Sequence, residues 1–282
     1  MRIAILMHGA SGNADKYGTG ASLPVELSHK HFQEKIVDVN KDAQIDVFMH
    51  SWSPQDREQL VDLYKPLGEY FEPQIIFDFE YIVGDPNGPG GEINKWHDGK
   101  FKGLDNLRFH ALFSRWYSAK IVNELRLAHQ AKNGFVYDYV MLTRYDLAYI
   151  EDFDFSKFEK SKIYAIPPMS HHGLQDLWFI GSHKNMDALC QIYDWIKRID
   201  HFPGKFAHSH WLLPRYLQTC GLLEDVSFFG SERPWDMGVS GRKLGASPLI
   251  RDYYDLAEQT PDSDMSVERE RIKNISNRTL RW

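Results

Sequence analysis

Apolar runs that end abruptly in short polar clusters constrain the fold of this chain more than any other feature. Ile3 to Met7 is unbroken by a polar residue and gives way to His8-Gly9-Ala10-Ser11-Gly12. Ile45 to His50 reads as a second such strand, closed by His50-Ser51-Trp52-Ser53, and Tyr137 to Leu142 as another, followed by Thr143-Arg144-Tyr145-Asp146. A strand with one wet face alternates. A continuous run marks a strand covered on both faces, as in a parallel sheet. Between these runs lie helical patterns: Ser22 to Val39, with Leu23, Leu27, Phe32 and Ile36 on one stripe, and Gln55 to Leu67, stopped near Pro66 and Gly68. The longest pattern is Asp105 to Lys132, with Asp105 as N-cap and Gly134 as the stop. Strand–helix alternation predicts an α/β fold with a mostly parallel, Rossmann-type sheet flanked by helices. Ligands of such sheets bind beyond the carboxyl ends of the strands, where the three polar clusters fall.

The rest of the chain reads less sharply. Gln74 to Phe79 suggests a third strand, and the glycine- and proline-rich stretch Gly84 to Gly103 either a flexible flap beside the site or a surface loop. Lys162 to Ile166 and Leu177 to Gly181 read as strands, the first stopped by Pro167-Pro168. Asn185 to Ile199 and His208 to Cys220 read as helices, with Pro214 interrupting the second. No internal repeat divides the chain. The expected organisation is a single domain over residues 1–282: a nucleotide-binding half (1–150), an acceptor-side half (151–258) and a charged tail (259–282).

Composition excludes several classes. A net charge of −6 lacks the basic stripe that nucleic acid requires, so no nucleic-acid partner is expected. No segment approaches the roughly 20 apolar residues of a membrane span. The first apolar run is too short for a signal peptide, so the expectation is a cytoplasmic protein in which the sequons at Asn274 and Asn277 carry little meaning. Cys190 and Cys220 lie in apolar helical segments and read as buried free thiols. Aromatic residues reach 14%, enough both for a core and for stacking on sugar rings. There is no Gly-x-Gly-x-x-Gly and no P-loop, which argues against a classical dinucleotide or kinase-type site.

Several motifs, in order, carry a resemblance: Asp46-Val47-Phe48-Met49-His50-Ser51-Trp52, then Phe113 to Lys120 with Asn123-Glu124-Leu125, then Arg144-Tyr145-Asp146-Leu147, then Asp176-Leu177-Trp178-Phe179-Ile180-Gly181-Ser182. Together they resemble GT-A-type glycosyltransferases of polysaccharide loci and large DNA viruses, over about residues 1 to 220. The resemblance implies transfer of a sugar from a nucleoside diphosphate, with UDP the default nucleotide and a hexose or pentose the default sugar, onto a glycan acceptor. It implies that the loop Gly9 to Gly12, Ser11 included, lies against the base and ribose, that His8 is among the residues of the nucleotide site, and that His50, Ser51 and Trp52 flank the nucleotide. Asp146 takes the place of the last Asp of the usual Asp-x-Asp, touching a Mn²⁺ or Mg²⁺ ion or the diphosphate. Arg144 replaces the first Asp, so a fixed positive charge stands where the family has a carboxylate and can itself neutralise phosphate.

A further metal ligand of such enzymes is often a late histidine. His208 and His210 are the candidates, and His208, nearer the Pro203-Gly204 loop, is favoured. Asp176 is the candidate base for an inverting transfer, in which one carboxylate takes the proton of the attacking hydroxyl. In a retaining enzyme it would instead contact sugar hydroxyls. Arg108 and Arg115 share a helix face and read as solvated, with one of them able to reach the diphosphate; Trp211 and Trp235 read as rim or core aromatics. Two other functions compete: a catalytically inactive relative that binds nucleotide sugar or glycan, motivated by Arg144, and a nucleotidyltransferase, for which the loop after the first strand lacks an arginine.

Overall fold

The computed structural model describes residues 1–11, 25–75, 77, 80–83, 92–95, 103–149, 151–166, 173–199, 201–202 and 209–229. The first strand, β1 (Arg2–Gly9), is followed by α1 (Val25–Phe32), β2 (Gln44–Ser51), α2 (Arg57–Tyr64) and β3 (Gly68–Phe71). Then come β4 (Glu80–Val83), β5 (Glu92–Lys95), the 31-residue α3 (Gly103–Asn133), β6 (Tyr139–Arg144), β7 (Ile163–Ala165) and β8 (Phe179–Gly181). The described chain continues with α4 (His183–Cys190), α5 (Ile192–Ile196), β9 (His201–Phe202), α6 (Ser209–Thr219) and β10 (Val226–Phe228).

Seven strands form one sheet in the order β10-β7-β8-β6-β1-β2-β3. β6, β1, β2 and β3 are mutually parallel, and β8 runs antiparallel to both of its neighbours. This is a Rossmann-like α/β fold, as the unbroken apolar runs predict. The sheet draws strands from both halves of the sequence, and a second sheet, β5-β4-β9, does the same. Among the described residues no helix is long and apolar enough to cross a membrane.

The pleat sorts the core into two faces. Ala4, Leu6, Phe48, Val140 and Leu142 pack beneath α3 with Phe109, Leu112, Phe113, Trp116, Ala119 and Val122. The spacing of those helical positions follows the 3.6-residue turn. Ile3, Ile5, Met7, Val47, Met49, Tyr139 and Met141 face the other way, onto Val25, Phe32 and Leu60 of α1 and α2.

Several expectations need correction. Residues 74, 75 and 77 are not in a strand; the third strand is β3, which the Leu67 N–H starts by bonding Val47 O at 2.8 Å. The sequence Gly-Glu-Tyr-Phe escaped notice because it is short and lies at the sheet's edge. The stretch Gly84 to Gly103 is not all loop: β5 pairs antiparallel with β4, and its other residues lie outside the described set, apart from Gly103. Asp105 lies inside α3, which already begins at Gly103, so it is not the N-cap. Gly134 does stop the helix, with φ +67 and its N–H on Gln130 O. Cys190 is buried, but Cys220, just past the end of α6, is exposed.

Candidate anion-binding site at the carboxyl edge of the sheet

Register decides which side chains meet. His8 of β1 pairs with His50 of β2 on one side and with Arg144 of β6 on the other. All three continue the face that carries Ala4, Leu6, Phe48 and Leu142, because side chains two apart along a strand share a face. The row His50–His8–Arg144 therefore lies under α3 at the carboxyl edge of the three central strands.

α3 supplies the cover. Ser118 Oγ is 2.5 Å from His50 Nδ1 and accepts the Gly9 N–H at 3.1 Å, fixing the end of β1 to the helix. The other ring nitrogen of His50 is 3.1 Å from Glu72 Oε1. His50 is fully buried and spoken for at both nitrogens, and burial pushes its pKa down against the opposing pull of Glu72. Trp52 stacks on Tyr117 with ring centroids 5.4 Å apart. Ser51 Oγ accepts the Ser53 N–H, and the Ser11 hydroxyl donates to Asp56 at 2.8 Å. Of the expected nucleotide contacts, His50 is thus bonded to α3 and to Glu72, Ser51 to the Ser53 backbone and Ser11 to Asp56. Tyr145 joins them, donating to Met7 O at 3.2 Å and His50 O at 3.1 Å.

The centre of the row is different. Among the described residues both ring nitrogens of His8 are buried without a hydrogen-bond partner, on a residue 1% exposed. Burial pushes its pKa well down, and the charges of Arg115 and Arg144 push the same way. Arg115, expected to be solvated, reaches in from α3 with its side chain 10% exposed; its Nε is 2.9 Å from Asp176 Oδ2, and its buried Nη2 has no hydrogen-bond partner among the described residues. Burial pulls even this guanidinium down to about 10, against the opposing charge of Asp176. Buried donors are normally paired, so these orphans mark a place built for an acceptor.

Two carboxylates border that place. Asp146 is clasped by Arg144 through two parallel hydrogen bonds, Nε to Oδ1 at 2.8 Å and Nη2 to Oδ2. Asp176 lies 3.3 Å from His210 Nε2 in addition to Arg115, and Ser209 also bonds it. Burial alone would raise the Asp176 pKa, but Arg115, His210 and Ser209 overcome it and hold the carboxyl far below the usual range. Its placement depends on Gly173. There φ is +72, Leu174 N–H bonds His210 O at 3.0 Å, and a Cβ would fall 2.1 Å from that oxygen. The backbone before β8 thus presses directly on the start of α6.

The structure brings His8, Arg144, Asp146 and Asp176 together. Arg115 and His210 complete the group: the first reads as an ordinary helix arginine in sequence, and the second lost out to its neighbour. His208 and Gly12 lie outside the described residues, as do Trp235 and the side chain of Arg108. Among the described residues no three His, Cys, Asp or Glu side chains converge as a metal site, and both oxygens of Asp146 are engaged by Arg144. No model of a known protein family matches the chain, and no curated protein matches it.

Proposed function

We propose that the chain is a glycosyltransferase that moves a sugar from a nucleoside diphosphate, by default UDP, onto a hydroxyl of a glycan acceptor. The observation that carries this reading is the pairing of two partly or wholly buried guanidinium groups, Arg115 and Arg144, with two carboxylates, Asp146 and Asp176, around the unpartnered His8. Breaking the bond between the anomeric carbon and the diphosphate leaves an anion, and preorganised cations at that anion lower the barrier. The attacking hydroxyl must also lose a proton, which needs an acceptor nearby.

In the inverting version, the acceptor oxygen bonds the anomeric carbon as the carbon–oxygen bond to the diphosphate breaks. The bonding electrons leave with the diphosphate, towards Arg144 and Arg115, and the hydroxyl proton passes to Asp176. Asp176 is a weak base while Arg115 holds it. An incoming diphosphate that draws the guanidinium away restores its basicity. Mn²⁺ or Mg²⁺ would enter through Asp146, with His208 as a second ligand, and would have to displace Arg144. The described residues do not form such a site, and no step is assigned to a metal.

Pre-pairing of both carboxylates also favours a second reading: a catalytically inactive protein that binds nucleotide sugar or glycan. Thermal stability against a panel of nucleoside diphosphates and their sugars, with and without Mn²⁺, tests donor binding; a ligand at 100 times its Kd adds about 2.7 kcal/mol. Asp176→Asn then separates the readings. The transferase keeps donor binding and loses at least ~10²-fold in turnover. A wild type that binds the donor and neither transfers nor hydrolyses its sugar is the binding protein. No stabilisation by any nucleotide refutes both donor-based readings.

A further inference from the structure

The group that the proposed reaction leaves unexplained is His8. It stands at the centre of the strand-end row, between His50 and Arg144 in register, with Arg115 above it from α3. Both ring nitrogens are buried and find no hydrogen-bond partner among the described residues. A neutral imidazole has one donor and one acceptor, whereas an imidazolium has two donors. Among the described residues, Arg144 from β6, Arg115 from α3 and His50 from β2 oppose its protonation, and Asp176 from the approach to β8 favours it. Burial, the largest influence, and this repulsion outweigh Asp176, so the imidazole is held neutral. The row meets solvent at Arg144, whose side chain is 29% exposed.

We infer that His8 takes up a proton when a phosphate-bearing anion enters this site, so that binding of the anion and protonation of the imidazole are a single coupled event. The anion supplies the negative charge that Arg115 and Arg144 lack, and the charged ring then presents N–H donors to phosphate oxygens from the position where two nitrogens lack partners. Charge-assisted bonds of this kind are about twice as strong as neutral ones. The proton comes from solvent. Resting on the transferase reading, the same coupling gives the departing diphosphate a third positive charge that the unliganded protein does not carry. It also gives affinity a pH dependence: because the bound state holds an extra proton, binding weakens as pH rises from the lowered pKa of the free imidazole to the raised pKa of the complex, and levels off above it.

Titration calorimetry of the intact protein with inorganic pyrophosphate and with UDP, in two buffers of different ionisation enthalpy at pH 7, measures the linked proton directly. The expected result is uptake of on the order of one proton per anion bound, since the free ring is neutral there and the bound ring charged. In His8→Gln, which keeps a donor and an acceptor but cannot titrate, the uptake disappears while weaker binding remains. Buffer-independent heats in the wild type overturn the role of His8 and leave the transferase reading standing. Uptake with pyrophosphate but no binding of any nucleotide upholds the coupled anion site and overturns the transferase reading. Undiminished uptake in a folded His8→Gln assigns the proton elsewhere and overturns the inference. Failure of both probes to bind the folded wild type overturns both. Should His8→Gln not fold, the affinity of the wild type from pH 6 to 9 decides: a fall towards alkaline pH is required, and constant affinity rejects the coupling.

Discussion

Arg115 Nε lies 2.9 Å from Asp176 Oδ2, with both side chains almost wholly buried, so a single ion pair ties α3 to the segment that leads into β8. In a site with Arg144 clasping Asp146 nearby, each acid is matched to a base before any ligand arrives. Anion binding then becomes an exchange of partners, with a phosphate oxygen replacing a carboxylate on a guanidinium.

Replacing Arg115 by Met removes the cation and leaves Asp176 with His210 and Ser209. Breaking one side of a buried pair costs about 3 kcal/mol, because the surviving charge is stranded. Urea denaturation at pH 7 should show a loss of that order, and affinity for UDP should fall at least ~10-fold with the lost charge-assisted contact. A variant as stable as the wild type, with unchanged affinity, places Arg115 outside the site.

Acid should weaken the fold in two stages. Burial holds the His8 pKa, and those of His31 and His50, below the ordinary value. Their stabilising contribution is complete above the unfolded value near 6.5 and drains as pH falls below it, because the unfolded chain binds protons first. Asp176 is depressed too. Its share is intact above about pH 5 and drains through the unfolded value near 4 towards the much lower folded one. Denaturation midpoints from pH 8 to pH 3 should therefore fall below 7 and fall further below 5. Asp176→Asn should flatten the second stage and spare the first. An Asp176→Asn curve parallel to the wild type throughout means that Asp176 is not held ionised by Arg115.

Gly173→Ala is expected to disturb the site from behind. A left-handed φ costs a non-glycine residue about 1–2 kcal/mol, and the new methyl would meet the His210 carbonyl at 2.1 Å. The backbone must move, carrying Asp176 away from His210. A drop in stability of at least ~2 kcal/mol is expected, with turnover reduced more than donor affinity, since Arg144 is untouched. Thermal unfolding and steady-state kinetics on the same sample check both halves; equal losses in turnover and affinity would instead indicate general loosening.

The fold was legible because the strongest signal in the chain, uninterrupted apolar strands ending in polar clusters, has few structural solutions. It located β1, β2 and β6 and put His8, Arg144 and Asp146 at one edge. What stayed hidden depends on tertiary geometry. Arg115 looks like any arginine on a polar-flanked helix; its burial follows from how α3 crosses the strand ends. His50 and Ser51 sit in the most motif-like segment; His50 lies beneath α3 and bonds Ser118, whereas Ser51 is on the opposite face of β2 and accepts the Ser53 N–H. The contact of His210 with Asp176 is not visible in helix spacing. It is the close approach of the Gly173 backbone to α6 that brings His210 to Asp176.

Arg144 offers the sharpest test of what this edge binds. Arg144→Asp removes the guanidinium that occupies both oxygens of Asp146 and places a second carboxylate two residues before it. Without metal, the variant should bind UDP about 30-fold less tightly, the equivalent of ~2 kcal/mol for a lost charge-assisted contact. With millimolar Mn²⁺, a hard cation suited to carboxylate oxygens, binding should recover in the variant and change little in the wild type. That pattern would mean that Arg144 occupies the place of a cation in this protein. If Mn²⁺ instead strengthens UDP binding equally in both chains, Arg144 yields Asp146 to the metal and the diphosphate is not its partner. If the variant keeps wild-type affinity without metal, the anion lies away from the end of β6, against Arg115 and His8.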